Sequence, residues 1–228
     1  MEKCMIELKD FKKESDVPKE TIEKYRNILP AELIEVWENY GFGSFYGGFL
    51  KTVNPEGYIE VLHETAPFFE KEIVMFSTGL ADLITWELPT EEDTLGYAHI
   101  LFYRVEDFKA LTAESLEFFF DSIIDQDEFL RDKRLLAAPY FKAVKQQGEP
   151  AYDEAFGYTP LLVLGGNDNI ESLQKVDLMA HIALISAFHG GPVFDTDEPS
   201  TNELKVDNQP TEHKVDSEPK KKKFFGLF

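Results

Sequence analysis

The chain has 228 residues, 43% of them hydrophobic, and its 43 acidic against 23 basic residues give a net charge of −20. This content suffices for one large or two small packed domains, and the charge opposes nucleic-acid binding, which depends on Lys and Arg neutralising phosphate, while favouring a basic partner. A single cysteine excludes an intramolecular disulfide framework, no stretch approaches the roughly 20 apolar residues that span a bilayer, and the start MEKCMIELKDFKKE is too charged for a secretory signal, so the cytoplasm is the expected compartment.

In chain order, residues 1–16 read as a polar lead-in. Residues 17–28 read as a helix with Val17, Ile22, Tyr25 and Leu29 inward. Pro30 fits a first helical turn, where its missing N–H has no partner to lose. Leu33, Trp37 and Tyr40 follow at helical spacing, and Gly41 suits the residue after the helix, where φ is often positive. Gly48–Val53 reads as a strand, and Asn54-Pro55 caps a short helix carrying Tyr58, Val61 and Leu62. Segments 72–78, 83–87 and 97–105 are rich in β-branched and aromatic residues, as strands are, and the polar run 89–94 joins two of them as a hairpin loop.

The second half reads as mainly helical. Thr112 is placed to cap a helix bearing Leu116, Phe119, Phe120 and Ile123. Asp125 and Glu128 have capping-box-like spacing for the next helix, which ends or kinks at Pro139. A further helix runs from about Pro139 to Gln147. A last, long helix begins after Asn167-Asp168-Asn169 and sets Leu178, Ile182, Ile185 and His189 on one face. Residues 192–228 are dominated by polar residues and proline, a composition that cannot bury enough surface to offset chain ordering, so a disordered tail is expected. The expected fold is α+β: a small, mainly antiparallel sheet with packed helices, a helical second half and that tail.

Two runs of residues carry a resemblance. Leu29-Pro30, Trp37, Tyr40-Gly41-Phe42-Gly43, Gly48-Phe49 and Val53-Asn54-Pro55 resemble the GAD-like domain family. The run from Phe156 to Gly166, FGYTPLLVLGG, with the helix after it, is similar to the C-terminal domain of type VI secretion immunity proteins. The resemblance implies a GAD-like domain over 17–110 and an immunity-protein domain over 111–191, packed as one unit. It also implies a non-enzymatic immunity protein that binds and neutralises a toxic effector, a nuclease in the best-known branch, by stoichiometric contact.

No catalytic, cofactor or metal residue is read from the sequence. The five histidines lack zinc-ligand spacing, there is no Gly-x-Ser-x-Gly elbow, and Gly165-Gly166 lacks the phosphate-loop lysine, which leaves a strand-to-helix turn with an Asx cap. Asp121, Asp125, Asp127, Glu128 and Asp132 form an acidic run without the turn glycine of a calcium loop. It reads as helix capping and a solvated face, or as a docking surface for a basic effector. Phe42, Phe45 and Tyr46 are a candidate aromatic patch for the same partner. Lys220, Lys221, Lys222 and Lys223 with Phe224, Phe225, Leu227 and Phe228 form a basic-aromatic terminus open to three readings: an inert tail, a groove-binding motif or a weak membrane contact. The alternative functions are an enzyme with an Asp/Glu acid–base site and an adaptor or RNA-associated scaffolding module.

Overall fold

In the computed structural model, residues 6–8, 10–124, 133–189 and 192 are described, the side chains of 122–124 and 189 excepted. All of them fall in the first of the chain's two units, 1–194; the second is 195–228.

Seven strands form one sheet in simple chain order: β1 (Lys12–Ser15), β2 (Phe42–Phe45), β3 (Leu50–Thr52), β4 (Ile73–Thr78), β5 (Leu83–Glu87), β6 (Tyr97–Phe102) and β7 (Asp107–Ala113). Every pairing is antiparallel, with Ile84 opposite Ile100 and Trp86 opposite Ala98. The middle strands read as continuous apolar runs because both faces are covered. Phe76, Ile84, Ile100 and Phe102 join one core, whereas Val74, Leu83 and Leu101 join another.

Helices α1 (Lys19–Tyr25), α2 (Ala31–Asn39) and α4 (Ala138–Gln147) and a π-helical turn at Phe119–Ile124 contribute to the first core. Helix α2 inserts Leu33, Ile34, Val36 and Trp37, and the Trp37 ring meets Tyr25 and Phe42 edge-on at 6.0 and 5.6 Å. Gly41 ends it with φ +93° and a backbone bond to Trp37 at 3.1 Å. Helices α3 (Ile59–Thr65) and α5 (Leu178–His189) contribute to the second core through Val61, Leu62, Leu178, Ile182 and Ile185. Asn54 caps the 3-10 turn Pro55–Gly57 ahead of α3, its Oδ1 accepting from the Glu56 amide.

The α+β expectation holds, and strands at Lys12–Ser15, Phe42–Phe45, Asp107–Ala113, Glu154–Tyr158 and Leu173–Asp177 add to it. The lead-in contributes β1, an edge strand whose residues KKES are all exposed and so show no alternation; charged edges of this kind deter further strand pairing. Asp10 in the same lead-in accepts from the amides of Tyr46 and Gly47 at 3.1 and 2.5 Å, which closes the β2–β3 turn. Thr112 lies in β7, opposite Ala98, and does not cap a helix; its hydroxyl donates to the Ser115 carbonyl at 3.0 Å. Leu116, Phe119 and Phe120 are buried as the spacing requires. The Asp125–Glu128 capping box lies outside the described residues.

The long helix after Asn169 is the main correction. Asn169 does cap a turn, its Oδ1 accepting from the Ser172 amide at 2.9 Å, but that turn is a 3-10 turn over Ile170–Ser172. The chain then enters β9 (Leu173–Asp177), which pairs antiparallel with β8 (Glu154–Tyr158). Helix α5 starts only at Leu178, capped by Asp177 Oδ1 on the Ala180 amide at 2.7 Å. The strand expected before Asn167 is also a 3-10 turn, Leu162–Leu164, ended by Gly165 at φ +82°.

The β8–β9 ribbon is joined to the sheet by polar bonds. The Phe156 amide donates to Gly79 O at 2.8 Å. Tyr152 Oη donates to Thr52 O at 2.6 Å. Lys51 reaches from β3 to the carbonyls of Ala151 and Glu154. Gly157 is required in β8: a Cβ there would stand 2.3 Å from the His181 ring of α5.

Candidate protein-interaction site

The aromatic residues read as a surface patch are packing residues. Phe42 and Phe45 are buried, Phe42 against Trp37 and Phe45 against Phe76 at 5.9 Å. Tyr46 is half-buried at φ +52°, its ring on Phe49 at 5.9 Å and Phe141 at 5.0 Å. The neighbouring glycines let α4 close over the β2–β3 turn: a Cβ on Gly48 would stand 2.8 Å from the Tyr140 hydroxyl. In the acidic run, Asp121 is exposed, and Asp125, Asp127, Glu128 and Asp132 lie outside the described residues. So does the terminus Lys220–Phe228.

The sheet brings together titratable groups that the sequence does not mark. His99 on β6 has Nδ1 2.9 Å from Glu72 Oε1, and Thr85 Oγ1 donates to the other Glu72 oxygen at 2.5 Å. On the far side of the ring, Nε2 lies 3.9 Å from Glu87 Oε2. The side chains of His99 and Glu72 are 10% and 8% exposed. Burial, then the nearby Glu72 charge, raises the Glu87 carboxyl above its usual range. Among the described residues this trio is a group with ligand atoms close enough to share a metal ion, all within 4.8 Å. The two carboxylates, however, face opposite edges of the imidazole, one on each ring nitrogen. That arrangement orients the histidine ring better than it chelates a cation. Only the strand register assembles it, Thr85 lying opposite His99 and Glu87 opposite Tyr97.

Two further buried charges hold segments together. Arg104 pairs with fully buried Asp82 and donates to the Leu136 carbonyl at 3.3 Å, which ties the chain before α4 to the sheet. Burial raises the Asp82 carboxyl to about 6 against the opposing pull of Arg104. Burial likewise pushes the Lys51 ammonium down to about 8, opposed by Asp153 and Glu154. His181 is held below its ordinary value by burial. Asp82, Arg104 and Lys51 are structural ties: each is enclosed by the fold and bonded to backbone or to a fixed partner.

The feature that packing leaves unexplained is on the surface. Helix α5 reads LMAHIALISAFH, with no Asp, Glu, Lys or Arg. Leu178, His181, Ile182 and Ile185 are buried, whereas Ala180, Ala183, Leu184, Ala187 and Phe188 are exposed. Those positions fall at i, i+3, i+4, i+7 and i+8, one continuous stripe on the outer side. Leu184 is 49% and Phe188 52% exposed. The elements packed against α5 continue the pattern: Ile59 on α3, Val105 in the 3-10 turn Tyr103–Val105, and Val163 and Leu164 in the turn Leu162–Leu164 are all exposed. Among the described residues, most of the large exposed apolar side chains thus lie on α5 or on elements packed against it, and grouped apolar surface of this kind marks interaction sites. The periodicity of α5 was readable, but its outer stripe was not, because an all-apolar helix gives no sign of which side is covered.

Comparison with known proteins bears on both halves. Residues 1–68 match the GAD-like domain model, and residues 113–189 match the model described as T6SS immunity protein Tdi1, C-terminal. Strands β4, β5 and β6 lie between the two matches, and α5 lies inside the second. The second match supports an immunity role in type VI secretion. A solved structure, Atu4351 from Agrobacterium tumefaciens, has the same fold: TM-score 0.55 at 13% identity, covering 77% of this chain and 85% of that one. No curated protein matches the chain. No helix among the described residues is long and apolar enough to cross a membrane.

Proposed function

We propose that this chain neutralises a toxic effector of a type VI secretion system by stoichiometric binding, in the cytoplasm and without chemistry of its own. The match of residues 113–189 to an immunity-protein model carries this reading. The net charge of −20 supports a partner with a basic surface, such as a nuclease with a cationic substrate groove. The acidic residues Asp121, Asp125, Asp127, Glu128 and Asp132 add to the long-range attraction whether or not they touch the effector. A catalytic reading would have to use Glu72, His99 and Glu87, where a buried histidine is oriented by a carboxylate; the packing of the His99 ring against Phe69 and Phe108, at 6.1 and 5.9 Å, favours a structural role.

The test titrates this chain against its cognate effector while following complex formation on a sizing column. Inhibition and complex should reach completion together near an equimolar ratio. Protection at catalytic amounts, or protection without a complex, would replace binding with an enzymatic mechanism.

A further inference from the structure

We propose that the outer stripe of α5, extended by Ile59, Val105 and Leu164, is the docking face for a basic amphipathic helix of the partner protein. This deepens the neutralisation reading and rests on it for the identity of the partner, while the chemistry of the face stands on the structure. The stripe of Ala180, Ala183, Leu184, Ala187 and Phe188 offers small residues beside two large ones. A partner helix can lie close along the alanines and bury its own apolar residues against Leu184 and Phe188.

Charge selects among occupants. Helix α5 has no charged residue. Helix α3, which packs on α5, exposes Glu60 and Glu64. Among α3, α5 and the two 3-10 turns, the single Lys or Arg is Arg104, which is committed to buried Asp82. Among these elements the exposed charged side chains are therefore acidic. A second copy of this chain would bring a like-charged surface against this one, which is unfavourable. An anionic membrane would be repelled. A helix with Leu-type residues on one side and Lys or Arg along its flanks fits both features.

The test uses synthetic peptides, so it does not depend on knowing the effector. One is an amphipathic helix of roughly 18 residues, five turns long, built from Leu and Lys; the other replaces Lys by Glu. Binding is measured by fluorescence anisotropy against the full chain and against Leu184→Ser/Phe188→Ser. The Lys peptide should bind saturably, the Glu peptide should not, and the double variant should weaken the Lys peptide at least about tenfold. Ile28→Ser, at an exposed apolar residue outside this group, should change nothing. Equal affinity of the chain and the double variant would overturn the proposal, since attraction would then be charge alone. A wild-type dimer that the double variant converts to monomer on a sizing column would assign the face to a second copy instead. Failure with the peptide leaves effector neutralisation standing, whereas an effector that forms no complex with the wild-type chain removes the neutralisation reading itself.

Discussion

Helices α2 and α5 both lean an apolar side on the same sheet, from the layers that build its two cores, yet their outer sides differ. On α2 the outward positions are polar: Glu38 pairs with Arg26 at 2.6 Å, and Glu35 accepts from the Ile6 amide at 3.0 Å. On α5 the outward positions are alanine, leucine and phenylalanine. A helix whose only task is packing gains nothing from an apolar outer side and risks aggregation. The outer side of α2 is thus accounted for by contacts within the fold, whereas α5 serves the fold with one side and a partner with the other.

That contrast can be broken by substitution. Trp37→Ala empties the centre of the α2 contact and should cost about 3–5 kcal/mol, with Ile182→Ala on the inner side of α5 at about 2–4 kcal/mol, both read as urea midpoints. If Ile182→Ala proved neutral, α5 would not be part of the core and the two-sided account would fail.

The joint between the sheet and the β8–β9 ribbon sharpens the comparison through pH. The Lys51 ammonium is pushed from 10.5 to about 8. Between these values the unfolded chain keeps a proton that the folded chain has released, so folding gains stability as pH rises through this window. Measured against Lys51→Met, the wild-type chain should become relatively more stable from pH 8 to 10.5, by at most about 3 kcal/mol. A flat difference would mean that its bonds to the Ala151 and Glu154 carbonyls keep the ammonium charged. A smaller loss, about 1–3 kcal/mol, is expected for His99→Gln, which disturbs the bond to Glu72. Effector neutralisation should survive it unchanged, and a loss of protection without a loss of fold would revive the catalytic alternative. Smallest of all, Leu184→Ser/Phe188→Ser should leave stability within about 0.5 kcal/mol, because both side chains already face solvent.

Much of the α2 layer was legible in the sequence. Leu33 and Trp37 keep helical spacing, Gly41 and Asn54 take the cap positions their chemistry favours, and strands β4, β5 and β6 follow from β-branched and aromatic runs. The α5 layer was harder. Asn169 is a sound local cap, but Leu173 and Val176 pair with β8 and draw the chain into a strand before the helix can begin. Edge strand β1 is exposed throughout, and β7 mixes exposed and half-buried residues with a single buried one, so both lack the alternation that burial imposes. The aromatic residues around Gly43 and Gly47 were misplaced for a related reason: glycine marks a turn without saying whether another helix closes over it. The outer face of α5 depends on which neighbours stop short of it, and that is a property of the assembled fold.

The most direct measurement of the central claim is side-chain oxidation footprinting of the chain alone and in complex with its effector. Helix α5 supplies Leu184 and Phe188 as reporters, with Ile59 and Leu164 beside it and Ile28 as an exposed control. The account predicts that Leu184, Phe188, Ile59 and Leu164 become protected in an equimolar complex while Ile28 keeps its labelling rate. Unchanged oxidation at Leu184 and Phe188 in a complex that fully suppresses the effector would contradict it, and would place the neutralising contact elsewhere on the chain.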